Sequence, residues 1–337
     1  MDIDRKIAVA PMMDWTDRHC RYFLRGFSPQ TLLYTEMITA AAILRGDATR
    51  LLGFDPAEHP VALQLGGSEP DVLAAAARIG EQAGYDEINL NCGCPSERVA
   101  SGAFGACLML EPQRVAECVS AMSAAVRVPV TVKMRIGVLS GTRGELAGAL
   151  GSVTERDFEA LVQFVGLVRQ AGCQVAIVHA RKAVLGGLSP KDNREIPPLR
   201  YDVVRRLKQA VADLPVVLNG GIRTAAAVLE ALTWCDGVML GREAYHRPGL
   251  LAELQQALHP ESPAPAREAL LERMACYAEE RLAEGHPLGS ITRHMLGLYG
   301  GEPGARAYRR LLSEGARAPG ADAGLIRAVA AAVRAAA

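Results

Sequence analysis

"PVVLNGGIRTAAAVLEALTWCDGVMLGR", residues Pro215 to Arg242, holds two strands and the helix between them. Pro215–Asn219 is a continuous apolar run ending in an amide, and Gly237–Leu240 is another, running into Gly241-Arg242. Neither alternates, as expected of strands covered on both faces in a parallel sheet. Gly220-Gly221 supplies the turn, and Thr224–Leu232 is an Ala-rich helix candidate.

The same unit recurs back toward the N-terminus. Further strands are predicted at Ile7–Pro11, Leu33–Met37, Val61–Leu65, Glu87–Asn91, Val130–Met134 and Gln174–His179, with helices at Pro70–Ala83, Glu111–Ala125, Glu155–Ala171 and Tyr201–Ala212. Eight βα units in about 250 residues describe a (β/α)8 TIM barrel of the α/β class. A doubly wound open sheet gives the same alternation. The count of eight, and the polar residues recurring at the C-terminal strand ends, favour the barrel.

Leu258–Pro265 breaks the pattern with Pro260, Pro263 and Pro265, which marks a linker. Only helices are predicted beyond it: Ala269–Leu282, Ser290–Leu298, Gly304–Ser313 and Ala321–Ala336. The predicted organisation is a catalytic barrel over 1–257, a linker over 258–265 and a small C-terminal helical domain over 266–337.

Of the 337 residues, 50% are hydrophobic, and 37 Lys and Arg balance 37 Asp and Glu. That suits a well-buried core, and it means a nucleic-acid partner would need a local basic patch. The 8 cysteines are too sparse for a small disulfide scaffold, and no signal peptide or run of roughly 18 apolar residues is present. The expectation is a reduced, cytoplasmic protein with no membrane partner.

A barrel of this kind works at the C-terminal mouth of its strands. The strand ends read Pro11-Met12-Met13, Glu36-Met37, Gln64, Asn89 to Cys94, Lys133-Met134-Arg135, His179-Ala180-Arg181, Asn219-Gly220-Gly221 and Gly241-Arg242. The glycines after the seventh and eighth strands occupy the loops that often build a phosphate site in barrels, because glycine lets backbone N–H groups approach an anion. Lys133 stands nearly alone as a cation among apolar neighbours. It is either a Schiff-base nucleophile or a protonated group holding negative charge on a cofactor ring. Cys92-x-Cys94 is too tight for a zinc site, and no second pair accompanies it; no metal is expected. Cys94 lies beyond the strand between Gly93 and Pro95, and Cys92 is nearer the strand. From composition alone both read equally well as packed structural cysteines.

Together these segments resemble the tRNA-dihydrouridine synthases, flavoenzymes that reduce specific uridines of tRNA. The resemblance runs from about residue 7 to 315. It includes "APMMDWTDRHCR" (10–21), "YTEM" (34–37), "ALQLGG" (62–67), "EINLNCGCPS" (87–96), "VTVKMRIG" (130–137), "LNGGI" (218–222) and "GVMLGR" (237–242). "VHARKA" (178–183), "GLSPKDNREIPPL" (187–199) and "RHMLGLYGG" (293–301), followed by "ARAYRRLLSEG" (305–315), are similar to the bacterial A subfamily, which acts at D-loop positions 20 and 20a. The resemblance implies FMN in the barrel mouth, NADPH as reductant and a helical domain that grips tRNA. It implies Pro11, Met12 and Met13 beside the flavin ring, and Gln64 and Lys133 hydrogen-bonded to it. It assigns His179, Asn219, Gly220, Gly221, Gly241 and Arg242 to the ring edge, ribityl chain and phosphate. Cys94 matches the family's proton donor, Asn91 matches a residue near the uridine, and Cys92 falls on the variable position of the motif. The segment Gly137–Asp157 departs from the family in being longer and richer in glycine.

Local charge suits an RNA partner. His179–Lys208 carries eight Lys and Arg against three Asp and Glu, and Ser290–Ala318 carries five Arg against two Glu. Lys191, Asn193 and Arg194, together with Arg306, Arg309 and Arg310, are expected to contact the tRNA backbone. The competing expectations are an FMN barrel acting on a free pyrimidine, in the manner of dihydroorotate dehydrogenase, a Schiff-base lyase, and a non-catalytic RNA-binding barrel.

Overall fold

Continuous apolar runs become parallel strands in the computed structural model, which describes residues 3–96, 104–141, 144, 146 and 148–329. The strands are β1 (Ile7–Val9), β2 (Leu32–Thr39), β3 (Val61–Gly66), β4 (Glu87–Cys92), β5 (Val130–Arg135), β6 (Val138–Ser140), β7 (Ala176–His179), β8 (Ala183–Leu185), β9 (Val216–Asn219) and β10 (Gly237–Leu240). Eight of them close into a parallel barrel in the order β1-β10-β9-β7-β5-β4-β3-β2. All eight predicted barrel strands are present. β6 and β8 were not predicted: they pair with each other outside the barrel, Leu139 opposite Val184. This ladder occupies part of the long Gly137–Asp157 segment, of which residues 142, 143, 145 and 147 lie outside the described residues.

Register sorts the barrel interior. Ala8, Leu32, Tyr34, Ala62, Val175, Ile177, Val217 and Met239 form one buried cluster, with Ile3 and Met12 packed against it. The helices cover the outer face with small residues in one place, such as Ala76, Ala77 and Gly80, and large ones in another, such as Phe158, Leu161 and Phe164. Helix Pro70–Gln82 starts on its proline, whose missing N–H is no loss at that position. Its Gly80 lies so close to the sheet that a Cβ there would stand 2.5 Å from Leu63 Cδ2. Helix Glu155–Gln170 is closed by a capping box between Thr154 and Asp157, which satisfies two otherwise orphaned N–H groups.

The chain divides into two compact units. The first comprises residues 1–12, 32–54 and 59–241; the second comprises 13–31, 55–58 and 242–337. The second unit therefore takes in more than the predicted 266–337. Helix Arg18–Arg25 joins it because His19 Nδ1 is 2.8 Å from the Tyr277 hydroxyl and Arg21 Nε donates to the buried Glu58 at 2.6 Å. Helix Gly249–Leu258 joins it through Gln255, whose Oε1 accepts from Ser28 Oγ at 2.7 Å. The proline-rich stretch consequently connects two helices of one unit. The helix predicted over Ser290–Leu298 stops at Thr292. Beyond it Gly297 sits where a Cβ would be 2.6 Å from the His246 carbonyl oxygen, so the backbone leaves the helix to pack. The predicted helix Ala321–Ala336 lies partly beyond residue 329, outside the described residues.

Candidate active site

The first unit's strand ends bring the predicted residues Gln64, Asn91, Cys94, Lys133, His179, Asn219, Gly220, Gly221 and Gly241 to one mouth. β4 and β5 pair with Asn91 opposite Lys133, and β7 and β9 with His179 opposite Asn219. The mouth therefore has an amide-and-lysine side and a histidine-and-glycine side.

The thiols separate by burial. Cys92 ends β4, is 0% exposed, and has its thiol pushed well above the ordinary range by burial and by Cys118, Cys173 and Cys107. A buried, protonated thiol in that setting is inert. Cys94 is half-buried, on a turn held from both sides. Asn91 Oδ1 accepts from the Gly93 and Cys94 N–H groups, both at 3.0 Å, and the Cys94 carbonyl accepts from Ala106 N–H at 2.8 Å. Asn91 thus shapes the turn carrying Cys94. Residues 97–103, next along the motif, lie outside the described residues.

Lys133 is half-buried and makes no hydrogen bond or ion pair among the described residues. Burial, with Arg135 nearby, lowers its pKa to about 7, and Cys94 opposes that shift. His179 is pushed well below its ordinary value by burial and by Arg135 and Lys133, so its imidazole is neutral. Its Nδ1 is buried without a hydrogen-bond partner. An orphaned polar atom of that kind costs about 1–3 kcal/mol and is a place for a ligand's polar group.

Beside His179 stands a backbone cradle. Gly220 and Gly221 have φ values of +116° and +71°, which favour glycine. A Cβ on Gly220 would lie 3.1 Å from His179 Nε2, and one on Gly221 would lie 2.3 Å from Leu199 Cδ1. Tyr201 donates its hydroxyl to the Gly220 carbonyl at 2.5 Å, and Asn219 Nδ2 donates to the Met239 carbonyl at 2.7 Å. A Cβ on Gly241 would meet Met12 Sδ at 4.0 Å, leaving open space. An unpartnered lysine, an orphaned imidazole nitrogen and bare backbone at two strand ends fit a polar, phosphate-bearing ring cofactor. FMN has that donor and acceptor pattern. Pro11 and Met12 edge the first unit here, half-buried. Met13, 56% exposed, and the half-buried Arg242 belong to the second unit.

Among the predicted RNA contacts, Lys191, Arg194, Arg306, Arg309 and Arg310 are exposed. Asn193 is not. It is 0% exposed; its Oδ1 accepts from Val184 N–H at 2.7 Å, and its Nδ2 donates to the Val184 carbonyl at 3.0 Å. It staples its own loop and has no reach toward a phosphate, so it leaves the contact set. Arg135 carried no predicted role, yet its Nε donates to the Gly93 carbonyl at 3.1 Å and its NH1 to the Asn193 carbonyl at 3.0 Å. One guanidinium therefore ties the Cys94 turn to the loop beyond β8. Its place two residues after Lys133, on the same face of the strand, was the signal available in the sequence.

Among the described residues no group of three or more His, Cys, Asp or Glu side chains could hold a metal ion, and no helix is long and apolar enough to cross a membrane.

Comparison with known proteins shows the family. The family model described as "Dihydrouridine synthase (Dus)" matches residues 8–336. A protein of Xanthomonas axonopodis pv. citri named tRNA-dihydrouridine(20/20a) synthase is 55% identical over 318 residues, covering 94% of this chain and 90% of the relative. Proteins of the same name from Pseudomonas aeruginosa and Synechocystis sp. are each 54% identical, over 92% and 91% of this chain and 90% and 88% of theirs. With nearly its whole length matched and the motif residues assembled at one barrel mouth, the chain belongs to the dihydrouridine synthase family.

Proposed function

We propose that the protein reduces uridines in the tRNA D-loop to 5,6-dihydrouridine, at positions 20 and 20a, with FMN as resident cofactor, NADPH as reductant and the cytoplasm as compartment. The observation that carries this reading is the half-exposed Cys94 at the same mouth as the unpartnered Lys133 and His179 and the Gly220-Gly221 cradle. The relatives' name, tRNA-dihydrouridine(20/20a) synthase, supplies the substrate class and positions.

Gln64, Lys133, His179, Asn219, Gly220, Gly221 and Gly241 would hold the cofactor, with Pro11, Met12, Met13 and Arg242 beside it. FMN, when bound and reduced by NADPH, supplies the hydride for uracil C6. Cys94 Sγ–H delivers a proton to C5, where charge builds because the C5=C6 bond is conjugated to a carbonyl. Such general acid catalysis is worth roughly 10²–10⁴-fold. Lys133, held near neutrality by burial and Arg135, takes up a proton readily beside an anionic partner, and so offsets negative charge. Its target uridine must leave the base stack to enter the mouth, as base-modifying enzymes require.

Exposed Lys191 and Arg194 of the first unit, and Arg306, Arg309 and Arg310 of the second, are proposed phosphate contacts. Phosphate contacts make affinity fall with salt in proportion to their number. Replacing Arg306 and Arg309 with Ala should raise the Kd for tRNA and flatten its salt slope by about one unit per lost contact. Tested as a whole, the purified protein with NADPH and unmodified tRNA should form dihydrouridine at positions 20 and 20a, read by mass spectrometry. A colourless preparation, or NADPH oxidation by a free pyrimidine without tRNA, would overturn the reading.

A further inference from the structure

A chain of hydrogen bonds runs inside the barrel from its floor to the turn that carries Cys94. At the floor Glu87, 0% exposed, pairs through Oε2 with Arg5, and its Oε1 accepts from the Tyr34 hydroxyl and from Thr131 Oγ1 at 2.6 Å. Thr131 in turn accepts from Asn89 Nδ2 at 2.8 Å. Asn89 Oδ1 accepts from Gln64 Nε2 at 2.8 Å, and Gln64 Oε1 accepts from Asn91 Nδ2 at 2.8 Å. Asn91 Oδ1 is left facing the Gly93 and Cys94 N–H groups. From Thr131 to Asn91 the donor–acceptor distances lie in the ordinary range, and register places the side chains in steps, Gln64 opposite Asn89 and Asn89 opposite Thr131.

The chain has a direction, and at the floor a carboxylate sets it. A carboxylate only accepts, so the Thr131 hydroxyl must point its proton down at Glu87. Its oxygen then accepts from above, which turns the Asn89 NH2 downward and its carbonyl upward. Gln64 follows, then Asn91. Reversed, Asn91 would present its NH2 to two N–H donors and the turn would lose its cap. The geometry points to Glu87 and Thr131 as positioning residues that act, through three buried amides, on the turn holding the Cys94 thiol. The link to catalysis rests on the proposed role of Cys94; the link to the turn does not.

The test separates the two. Thr131→Val keeps size and removes the relay, Thr131→Ser keeps the hydroxyl, and Glu87→Gln offers an NH2 where the chain needs an acceptor. In that last variant Arg5 draws the new carbonyl to itself and leaves the NH2 facing Thr131. Residue-resolved hydrogen exchange on the FMN-loaded protein should show faster exchange at the Gly93 and Cys94 amides in Thr131→Val and Glu87→Gln, wild-type exchange in Thr131→Ser, and unchanged exchange in β9. Dihydrouridine formation should fall in kcat by about 10- to 100-fold, the scale of a small misplacement of a reacting group, while the Kd for tRNA stays at its wild-type value. Thr131→Val alone serves if Glu87→Gln does not fold. Unchanged protection at Gly93 and Cys94 in Thr131→Val would overturn the relay. Lost protection with a wild-type kcat would support the relay and instead sink Cys94 as the proton donor.

Discussion

The barrel interior has two flanks of opposite character. Along β1, β2, β7, β9 and β10 the inward positions are mostly apolar: Ala8, Leu32, Ile177, Val217 and Met239 pack as one cluster. Along β3, β4 and β5 they are mostly polar: Ala62 belongs to the apolar cluster, but Gln64, Glu87, Asn89, Asn91, Thr131, Lys133 and Arg135 follow, and all of these but Lys133 and Arg135 join one hydrogen-bonded chain. Both flanks are buried and both belong to one closed sheet. Apolar packing is non-directional and fixes where the strands sit. Hydrogen bonds are directional and leave a large penalty when broken in part, so the polar flank fixes which atom faces the mouth. The comparison teaches a division of labour: one side holds the shape, and the other aims the chemistry.

The most severe test of that division uses two thiols two residues apart. Cys94→Ala should keep FMN bound and reducible by NADPH, yet lower dihydrouridine formation by about 10²–10⁴-fold, the range of a lost general acid. Cys92→Ala should retain the wild-type rate and lose some stability, since it trims a packed, fully buried side chain. Steady-state rates on unmodified tRNA, beside thermal melts, decide between them. If Cys92→Ala is the inactive one, the strand's packed end carries the chemistry and the two-flank picture fails.

Lys133 tests the polar flank at a member outside the hydrogen-bonded chain. Lys133→Met should weaken FMN retention or slow flavin reduction, because negative charge at the mouth loses its counter-ion. The cofactor-free protein gives a second reading. The lysine's ordinary value is 10.5, and the fold holds it at about 7 through burial and Arg135. Between those values the unfolded chain binds the proton and the folded chain does not, so this group makes folding more favourable as pH rises. Below about pH 7 both states are protonated and its contribution is constant. Denaturant titrations from pH 7 to 10 should therefore show a stability gain in wild type that Lys133→Met flattens. Identical slopes in the two proteins would mean that Lys133 keeps its proton in the fold.

The apolar flank was legible in the sequence because burial on both faces writes itself as unbroken runs such as "VVLN" (216–219) and "GVML" (237–240). The mouth was legible for a related reason: Lys133, His179 and Gly220-Gly221 interrupt those runs at a constant place, the strand end. The polar chain was not legible, since each of its links joins side chains at least 25 residues apart and only closure of the barrel aligns them. Asn193 misled because a polar loop residue reads as solvent-facing until the loop's own carbonyls are seen to claim its amide. The β6–β8 ladder escaped because three-residue strands carry no periodicity. The reach of the second unit escaped because His19 meets Tyr277 across 258 positions of sequence.

The smallest effect is expected on the other flank, at the point where the two come closest. Ile177 sits in the apolar cluster, yet pairs in register with Lys133 on one side and Val217 on the other. Ile177→Val removes one methylene group from a site 1% exposed. Such a deletion costs about 0.5–1.5 kcal/mol, and each kcal/mol lowers the melting temperature by about 2–4 °C in a domain of this size. The valine keeps the branched shape that suits a strand, so the register and the direction in which Lys133 points should not change. Thermal melts should record that small loss, while kcat on tRNA and the pH dependence assigned to Lys133 stay at wild-type values. A large fall in kcat with an unmoved melting temperature would show that packing on the apolar flank aims the lysine, and the two flanks would then have to be treated as one device.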